Sequence, residues 1–472
     1  MTDRSPRLAI ACAAAGVALL AGGARAEEAP ASGGPQAATR LAALAPTSCA
    51  DGRCSVRLEP GQMLALAEKL VLARKYDEAR PLVAALRDAP GMDIPYGFLD
   101  GLMHLGEGDT KGAVKRFRRV LENHPEQTRV RLELARALMA MRDYDGAEYH
   151  LRLAAQDESL PEDIARIIGD ARNVIRSNRR LRFGFDFGFA PDSNINSATA
   201  AETIDVNFGS TRLPLRLDDA ARERSGVGVT ASGYASLRLP TAERMSLVFD
   251  TNLSMINYDG ADFDDYTAQV AGGPEFRLGE GRNLTLQAVA LNRWYGGETA
   301  ARQFGARATL QQEIGLDRRV ALQVDARHNV SRINSGYDGW QLGANLTYEQ
   351  VIAKSAIVSA SLIGRREMDD FDAYSNKTLG VSGGIGGELP LGINAGLSGA
   401  ATWSKFDEAQ PFFSFERRED WRIQGRAYVG LRQVRVAGFS PSMEYNYIRV
   451  DSNYDLYASD RHRVQFKLAR YF

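Results

Sequence analysis

The sequence predicts a multidomain α + β chain, with N-terminal α-helical tetratricopeptide-like repeats followed by a transmembrane antiparallel β-barrel of about 14 strands. Three observations predict it. Small residues recur at intervals of 34 in the first part, the hydrophobic period changes to two after Arg180, and the links between alternating runs switch between short and long. Composition agrees with this reading. The 472 residues carry 58 Lys+Arg against 59 Asp+Glu, a net charge of -1 that gives no basis for nucleic-acid binding. No apolar run reaches the roughly 20 residues of a transmembrane helix, whereas membrane strands alternate polar with apolar and leave average hydropathy low.

Residues 1–26 read as an export signal. Arg4 and Arg7 precede an apolar stretch from Leu8 to Leu20, and Ala24-Arg25-Ala26 supplies the small residues of a cleavage site. Cleavage there removes Cys12 and leaves Cys49 and Cys54 in an oxidising compartment, where a short local disulfide is the better reading. Metal binding is the weaker one, since no His or second Cys pair lies near. Residues 27–59, rich in Ala, Gly and Pro, read as a flexible leader.

Residues 60–178 read as the repeat domain. Ala79, Ala113 and Ala147 follow polar turns at intervals of 34, and Ala67, Gly101 and Ala135 form a second series with the same period. Small residues there let paired helices approach closely. Pro90, Pro125 and Pro161 follow the second helix of each pair, and Ile164, Ile167, Ile168, Ala171 and Ile175 have the spacing of a closing helix. By repeat position Leu64, Glu68, Phe98, Leu102, Leu132 and Arg136 line a concave groove; for the apolar ones a core role is equally open.

Residues 179–472 read as the barrel. From Leu181 to Phe189 every odd residue is large and apolar and every even one is Gly or charged, so one face meets lipid. Short links at 240–243, 279–283, 315–319, 352–355, 390–394 and 437–440 alternate without exception with longer ones at 190–225, 257–265, 331–337, 366–375, 405–418 and 451–460. Short periplasmic turns and long external loops produce that rhythm, and it puts both barrel ends, and with them the repeats, in the periplasm. Trp294 and Trp403 then end outward strands while Trp340 and Trp421 begin inward ones, so all four fall in the outer interfacial girdle. A soluble β-sandwich would not sort them so. Val464, Phe466, Leu468, Arg470 and Phe472 share one face and end on an aromatic of the kind barrel assembly machinery reads, with the outer-membrane bilayer as the other partner.

No enzyme and no cofactor is expected. Gly380-Val381-Ser382-Gly383-Gly384 matches G-x-S-x-G but lies inside an alternating strand, and His104, His124, His150, His328 and His462 are scattered. Asp192-Ser193-Asn194-Ile195-Asn196 begins like a calcium loop, yet the sixth and twelfth positions are Ser197 and Thr203, and Asx-turns at a strand exit are the simpler reading.

The export signal, the periplasmic repeats and the barrel, joined at Leu181 to Phe189 and followed by Ala190-Pro191-Asp192-Ser193-Asn194-Ile195-Asn196, resemble the surface lipoprotein assembly modifier family over nearly all of the mature chain. The resemblance implies a non-enzymatic outer-membrane translocator that delivers client proteins, either surface lipoproteins or secreted haem- or metal-binding proteins, from periplasm to cell surface. Periplasmic chaperones join the expected partners. Asp192, Asn194 and Asn196, with Glu68, Phe98, Leu102 and Arg136 in the groove, are the candidates for client binding or gating. The rival reading is an exopolysaccharide exporter, which would want a lumen of one charge sign. The inward parity instead mixes Arg182, Asp186, Arg238, Arg293, Asp325, Arg327 and Glu388. A diffusion porin leaves the helical repeats unexplained.

Overall fold

The computed structural model describes residues 48–50, 53–55, 58–157, 159–178, 180–209, 211–434 and 439–469; the expected export signal and the terminal Phe472 lie outside them. Within the expected leader, β1 (Ser48–Ala50) and β2 (Arg53–Ser55) form an antiparallel pair in which Cys49 stands directly opposite Cys54.

Seven helices follow: α1 (Pro60–Leu72), α2 (Tyr76–Leu86), α3 (Asp93–Gly106), α4 (Thr110–Asn123), α5 (Thr128–Ala140), α6 (Tyr144–Ala154) and α7 (Glu162–Asn178). The two series of small residues mark the helix contacts, since Ala67, Ala79, Ala113, Ala135 and Ala147 are all fully buried. Gly101 shows why size matters there: a Cβ at that position would lie 2.4 Å from the Phe117 ring. The same period governs the turns. Arg74, Gly108 and Arg142 adopt left-handed φ values of 59°, 87° and 61°, and the next residue caps the following helix. Asp109 and Asp143 accept the backbone N–H groups of Gly112 and Gly146, whereas Lys75 in the first repeat makes no side-chain cap. Ile168 and Ile175 of α7 are buried, closing the stack.

The chain then forms β3 (Leu181–Asp192), an external hairpin β4 (Thr203–Phe208) and β5 (Thr211–Arg216), and thirteen further strands: β6 (Gly226–Ala242), β7 (Met245–Asn257), β8 (Asp265–Gly279), β9 (Arg282–Tyr295), β10 (Glu298–Ile314), β11 (Arg318–Ser331), β12 (Gly339–Ile352), β13 (Ala356–Asp369), β14 (Asn376–Leu389), β15 (Ile393–Ala409), β16 (Arg417–Leu431), β17 (Ser440–Ser452) and β18 (Ser459–Ala469). β3 and β6 to β18 close into a barrel of 14 strands. Closure satisfies the backbone within the wall, which lets the outer face carry Phe183, Phe185, Phe187 and Phe189 into lipid.

One expectation fails. Short and long links do not alternate without exception, because β9 and β10 are joined on the external side by Gly296 and Gly297 alone, with φ values of 61° and 80°. Two successive left-handed residues make a tight hairpin turn that only glycine takes without strain. The girdle is as expected. Trp403 and Trp421 are directly opposed across β15 and β16, Trp294 stands opposite Tyr266 and Thr299, and Trp340 opposite His328 and Met368.

Candidate functional site: the periplasmic mouth and the barrel seam

Strand alternation points Glu388, the penultimate residue of β14, inward at the periplasmic rim, where the helical repeats cover it. Its carboxylate lies 2.8 Å from Arg131 Nη2 of α5 and 2.9 Å from Arg432 Nη1, just past β16, and Arg131 and Glu388 are 0% and 2% exposed. Arg131 is held from behind. Its Nε donates to the Pro125 carbonyl at 2.8 Å and its Nη1 lies 3.2 Å from His150 Nδ1. Burial, and then the guanidiniums of Arg131, Arg118 and Arg432, hold the His150 pKa well below the ordinary histidine value, so the ring is neutral and offers Nδ1 as an acceptor.

Smaller links surround this junction. Arg152 and Arg319 share the Glu349 carboxylate at 2.7 and 2.6 Å, Arg172 reaches the Leu316 carbonyl at 3.3 Å and Glu313 at 3.5 Å, and Lys354 Nζ pairs with Asp157 at 2.8 Å. The backbone joins in: Lys354 N–H donates to Gln156 Oε1 at 2.6 Å and Gly392 N–H to the Glu122 carbonyl at 3.0 Å. Burial opposes ionisation of Asp157, but hydrogen bonds from Lys354, Ser159 and Thr128 overcome it and hold its pKa below the usual carboxylate range. Partly exposed pairs of this kind are worth about 1 kcal/mol or less each. Removing one partner of a fully buried pair strands the other charge out of water and costs about 3–5 kcal/mol, so the seat is most sensitive to substitution at the Glu388 junction.

The groove residues are only partly brought together. Phe98 is buried, the Arg129 guanidinium lies 4.6 Å over its ring, and the same side chain comes within 3.9 Å of Glu68. Arg136 is apart from them, paired with Glu133 at 2.6 Å. Leu64, Leu102 and Leu132 pack against the helical core. Arg129, which links Glu68 to Phe98, was not among the expected residues, and only its place in the first turn of α5 could have suggested it.

At the opposite mouth the Asp-Ser-Asn-Ile-Asn stretch closes the ring. Asp192 ends β3 and takes Arg461 Nη2 of β18 on Oδ2 at 2.6 Å, and Tyr258 OH donates to the same oxygen at 2.9 Å. Burial and the Asp192 charge push the Tyr258 phenol up to about 12, so it stays a donor. Asn194 Nδ2 donates to the carbonyls of Ala198 and Asp460 at 2.8 and 2.9 Å, and its Oδ1 accepts the Ala198 N–H. Asn196 bridges to the Arg222 carbonyl and the Arg224 N–H. Asp192 and Asn194 are thus buried in the rim and occupied by it. They latch the seam where β3 and β18 meet, with Asp192↔Arg463, Phe189↔Phe466, Gly188↔Lys467 and Phe187↔Leu468 in register among the described residues. Pro191 interrupts that ladder because it has no N–H to give.

Some of the lumen charges stand in couples. Arg238 pairs with Glu275, Arg293 with Asp265 and Arg327 with Asp325, at 2.8, 2.8 and 3.1 Å, while Asp186 accepts a hydrogen bond from Ser232 Oγ and Arg182 lies over the Tyr234 ring. Among the described residues no cluster of His, Cys, Asp and Glu could hold a metal ion.

A closed 14-stranded barrel with a lipid-facing aromatic girdle and helical repeats seated on its mouth is an outer-membrane β-barrel protein with a periplasmic tetratricopeptide domain. The surface lipoprotein assembly modifier family matches residues 182–472 and a tetratricopeptide repeat family residues 104–166, and this chain belongs to the first of them. It is 21% identical over 79% of its length to 78% of the hemophilin secretion modulator of Acinetobacter baumannii. To the surface lipoprotein assembly modifier 1 of Haemophilus influenzae it is also 21% identical, over 78% of this chain and 75% of that protein. Among solved structures, the outer membrane channel DcaP of Acinetobacter baumannii aligns with 61% of this chain and 96% of its own, at 12% identity and a TM-score of 0.37.

Proposed function

We propose that this chain carries client proteins across the outer membrane to the cell surface without an enzymatic step. The clients are surface lipoproteins or secreted proteins of the kind named for its hemophilin-secreting relative. The observation that carries the proposal is the family match over the whole barrel, together with helical repeats seated on its periplasmic mouth. In this reading the surface of Glu68 and Arg129, backed by the buried Phe98 ring, captures an extended client segment and tethering raises its concentration at the pore. The paired lumen charges suit a polypeptide of mixed sign better than a uniformly charged polymer. Asp192, Asn194 and Asn196 act on the gate through the seam they hold. Barrel assembly machinery inserts the chain, periplasmic chaperones deliver the client, residues 1–26 are cleaved, and Cys49 and Cys54 form a disulfide in the leader.

Co-expression with the secreted protein encoded beside this chain, in a host lacking both, tests the proposal. The client becomes accessible to external protease only when this chain is present. Equal client exposure with and without it, alongside altered polysaccharide output, would move the assignment to polysaccharide export.

A further inference from the structure

One face of α4 is strongly basic. Lys111, Lys115, Arg118, Arg119 and Glu122 fall on a single helical stripe, so four cations stand in a row that ends on one carboxylate. The stripe forms one wall of a cleft of about 760 Å³, and Met141, Arg432 and Gln433 form the other. Arg118 and Arg432 have partners already, Arg432 on Glu388. Lys111, Lys115 and Arg119 are exposed, and among the described residues none of the three forms an ion pair.

The cleft lies where the membrane-facing wall ends. The Glu122 carbonyl accepts the Gly392 N–H at 3.0 Å, which ties the C-terminal end of α4 to the turn between β14 and β15, and Gly392 packs closely against Gln433. Leu389 and Leu431 are the last lipid-facing residues of β14 and β16, Leu391 and Val434 follow them in the turns, and all four are exposed. Cations just beyond the last apolar residues of a spanning wall sit at the depth of the lipid headgroups.

We propose that this cleft binds the phosphate headgroup of an anionic phospholipid from the periplasmic leaflet of the outer membrane. Lys111, Lys115 and Arg119 supply charge and N–H donors to the phosphate oxygens, while Met141, itself partly exposed, and the neighbouring Leu391 and Val434 meet the glycerol and upper acyl chain. A zwitterionic headgroup carries its own ammonium into the same cations and is disfavoured. An acidic polypeptide would satisfy the charges but leave the exposed leucines at the rim unused, so the pairing of cations with apolar edge favours lipid. Bound lipid gives the helical repeats a second hold on the membrane, made by solvent-exposed charges and weakened by salt, unlike the buried Glu388 junction. The proposal needs the outer-membrane location alone and is independent of what passes through the lumen.

Full-length protein in nanodiscs tests the site with a phosphatidylglycerol that carries a photoreactive headgroup. The probe labels α4 and residues 432–434, and a phosphatidylcholine probe does not. Each of Lys111→Gln, Lys115→Gln and Arg119→Gln raises the half-labelling concentration about fivefold, and the three together raise it about a hundredfold. Lys111→Arg with Lys115→Arg keeps the labelling, and heat-modifiable mobility reports an intact barrel in every variant. Labelling of α4 that is equal in wild type and the triple variant would overturn the proposal. So would an equal loss when the same charge is removed from the first helix pair by Lys69→Gln, Lys75→Gln and Arg80→Gln. Displacement of the probe by inorganic phosphate would show a free-phosphate site, and displacement by polyglutamate at lower concentration than by phosphatidylglycerol would assign the cleft to an acidic polypeptide; either result rejects the lipid.

Discussion

Replacing Glu388 by Ala removes the one carboxylate between two guanidiniums, Arg131 and Arg432, that are themselves buried. Arg131 keeps the Pro125 carbonyl but loses its counter-charge, in a site where His150 is held neutral and cannot share a proton. Leaving such a charge unpaired costs about 3–5 kcal/mol, which shifts the seated-to-lifted balance by roughly two to three and a half orders of magnitude. Lys354→Ala, which cuts the partly exposed link to Asp157, costs about 1 kcal/mol or less and is further weakened by salt. Hydrogen exchange across α5 and α6 in detergent-solubilised protein reads the difference, with heat-modifiable mobility reporting that the barrel is unaffected. Pairing Glu388→Gln with Arg131→Met, which keeps the volume of both side chains and leaves Arg432 an amide oxygen to donate to, recovers most of the protection. Equal exchange in wild type and Glu388→Ala, or equal losses in Glu388→Ala and Lys354→Ala, would refute the view that one buried junction holds the seat.

Three further outcomes follow from the geometry. His150 has a folded pKa well below its unfolded value of about 6.5, so the unfolded chain binds the extra proton and the stability this contributes is present above about pH 6.5 and lost as pH falls below it; thermal melting of the helices drops between pH 7.5 and 5.5, and His150→Gln flattens that slope. Asp192→Ala strips Arg461 of its carboxylate and Tyr258 of its acceptor, lowering the temperature of the barrel's mobility shift by an amount corresponding to about 3 kcal/mol, whereas an unchanged transition would mean the latch bears no load. Gly101→Ala drives a methyl into Phe117 and destabilises the helices by about 1–3 kcal/mol, while Gly169→Ala in α7, with nothing within 4 Å of its Cβ, stabilises them by about 0.5–1 kcal/mol in the same melting assay.

Much of this architecture is legible in the sequence because it is periodic. The spacing of Ala79, Ala113 and Ala147 states the helical repeat directly, and the alternation from Leu181 to Phe189 states which side of a strand meets lipid. The β9–β10 connection was missed for the same reason: Gly296-Gly297 is too short to interrupt a period-two pattern, and a loop expected to be long left no other mark. The Asp192, Asn194 and Asn196 stretch stands out as a motif, yet its partners Tyr258 and Arg461 lie in other strands and carry no local signal. The Glu388 junction is less visible still. Arg131 sits in a helix where arginine ordinarily faces water, and nothing local distinguishes Glu388 from the other inward-facing charges of the barrel; only the docked fold removes both from solvent.

The latch between Asp192 and Arg461 joins positions 269 residues apart. Chain entropy makes such a contact slow to find, since the ends of a long loop must meet before any bond rewards them. Ring closure is therefore expected to follow the pairing of each hairpin between β6 and β18 with its sequence neighbour. Because the closing residues meet at the external rim rather than at the depth of the acyl chains, they can find each other in water. A defect at Asp192 is then first a defect of birth: it shows in newly made chains that linger unclosed, well before it shows in the endurance of finished barrels.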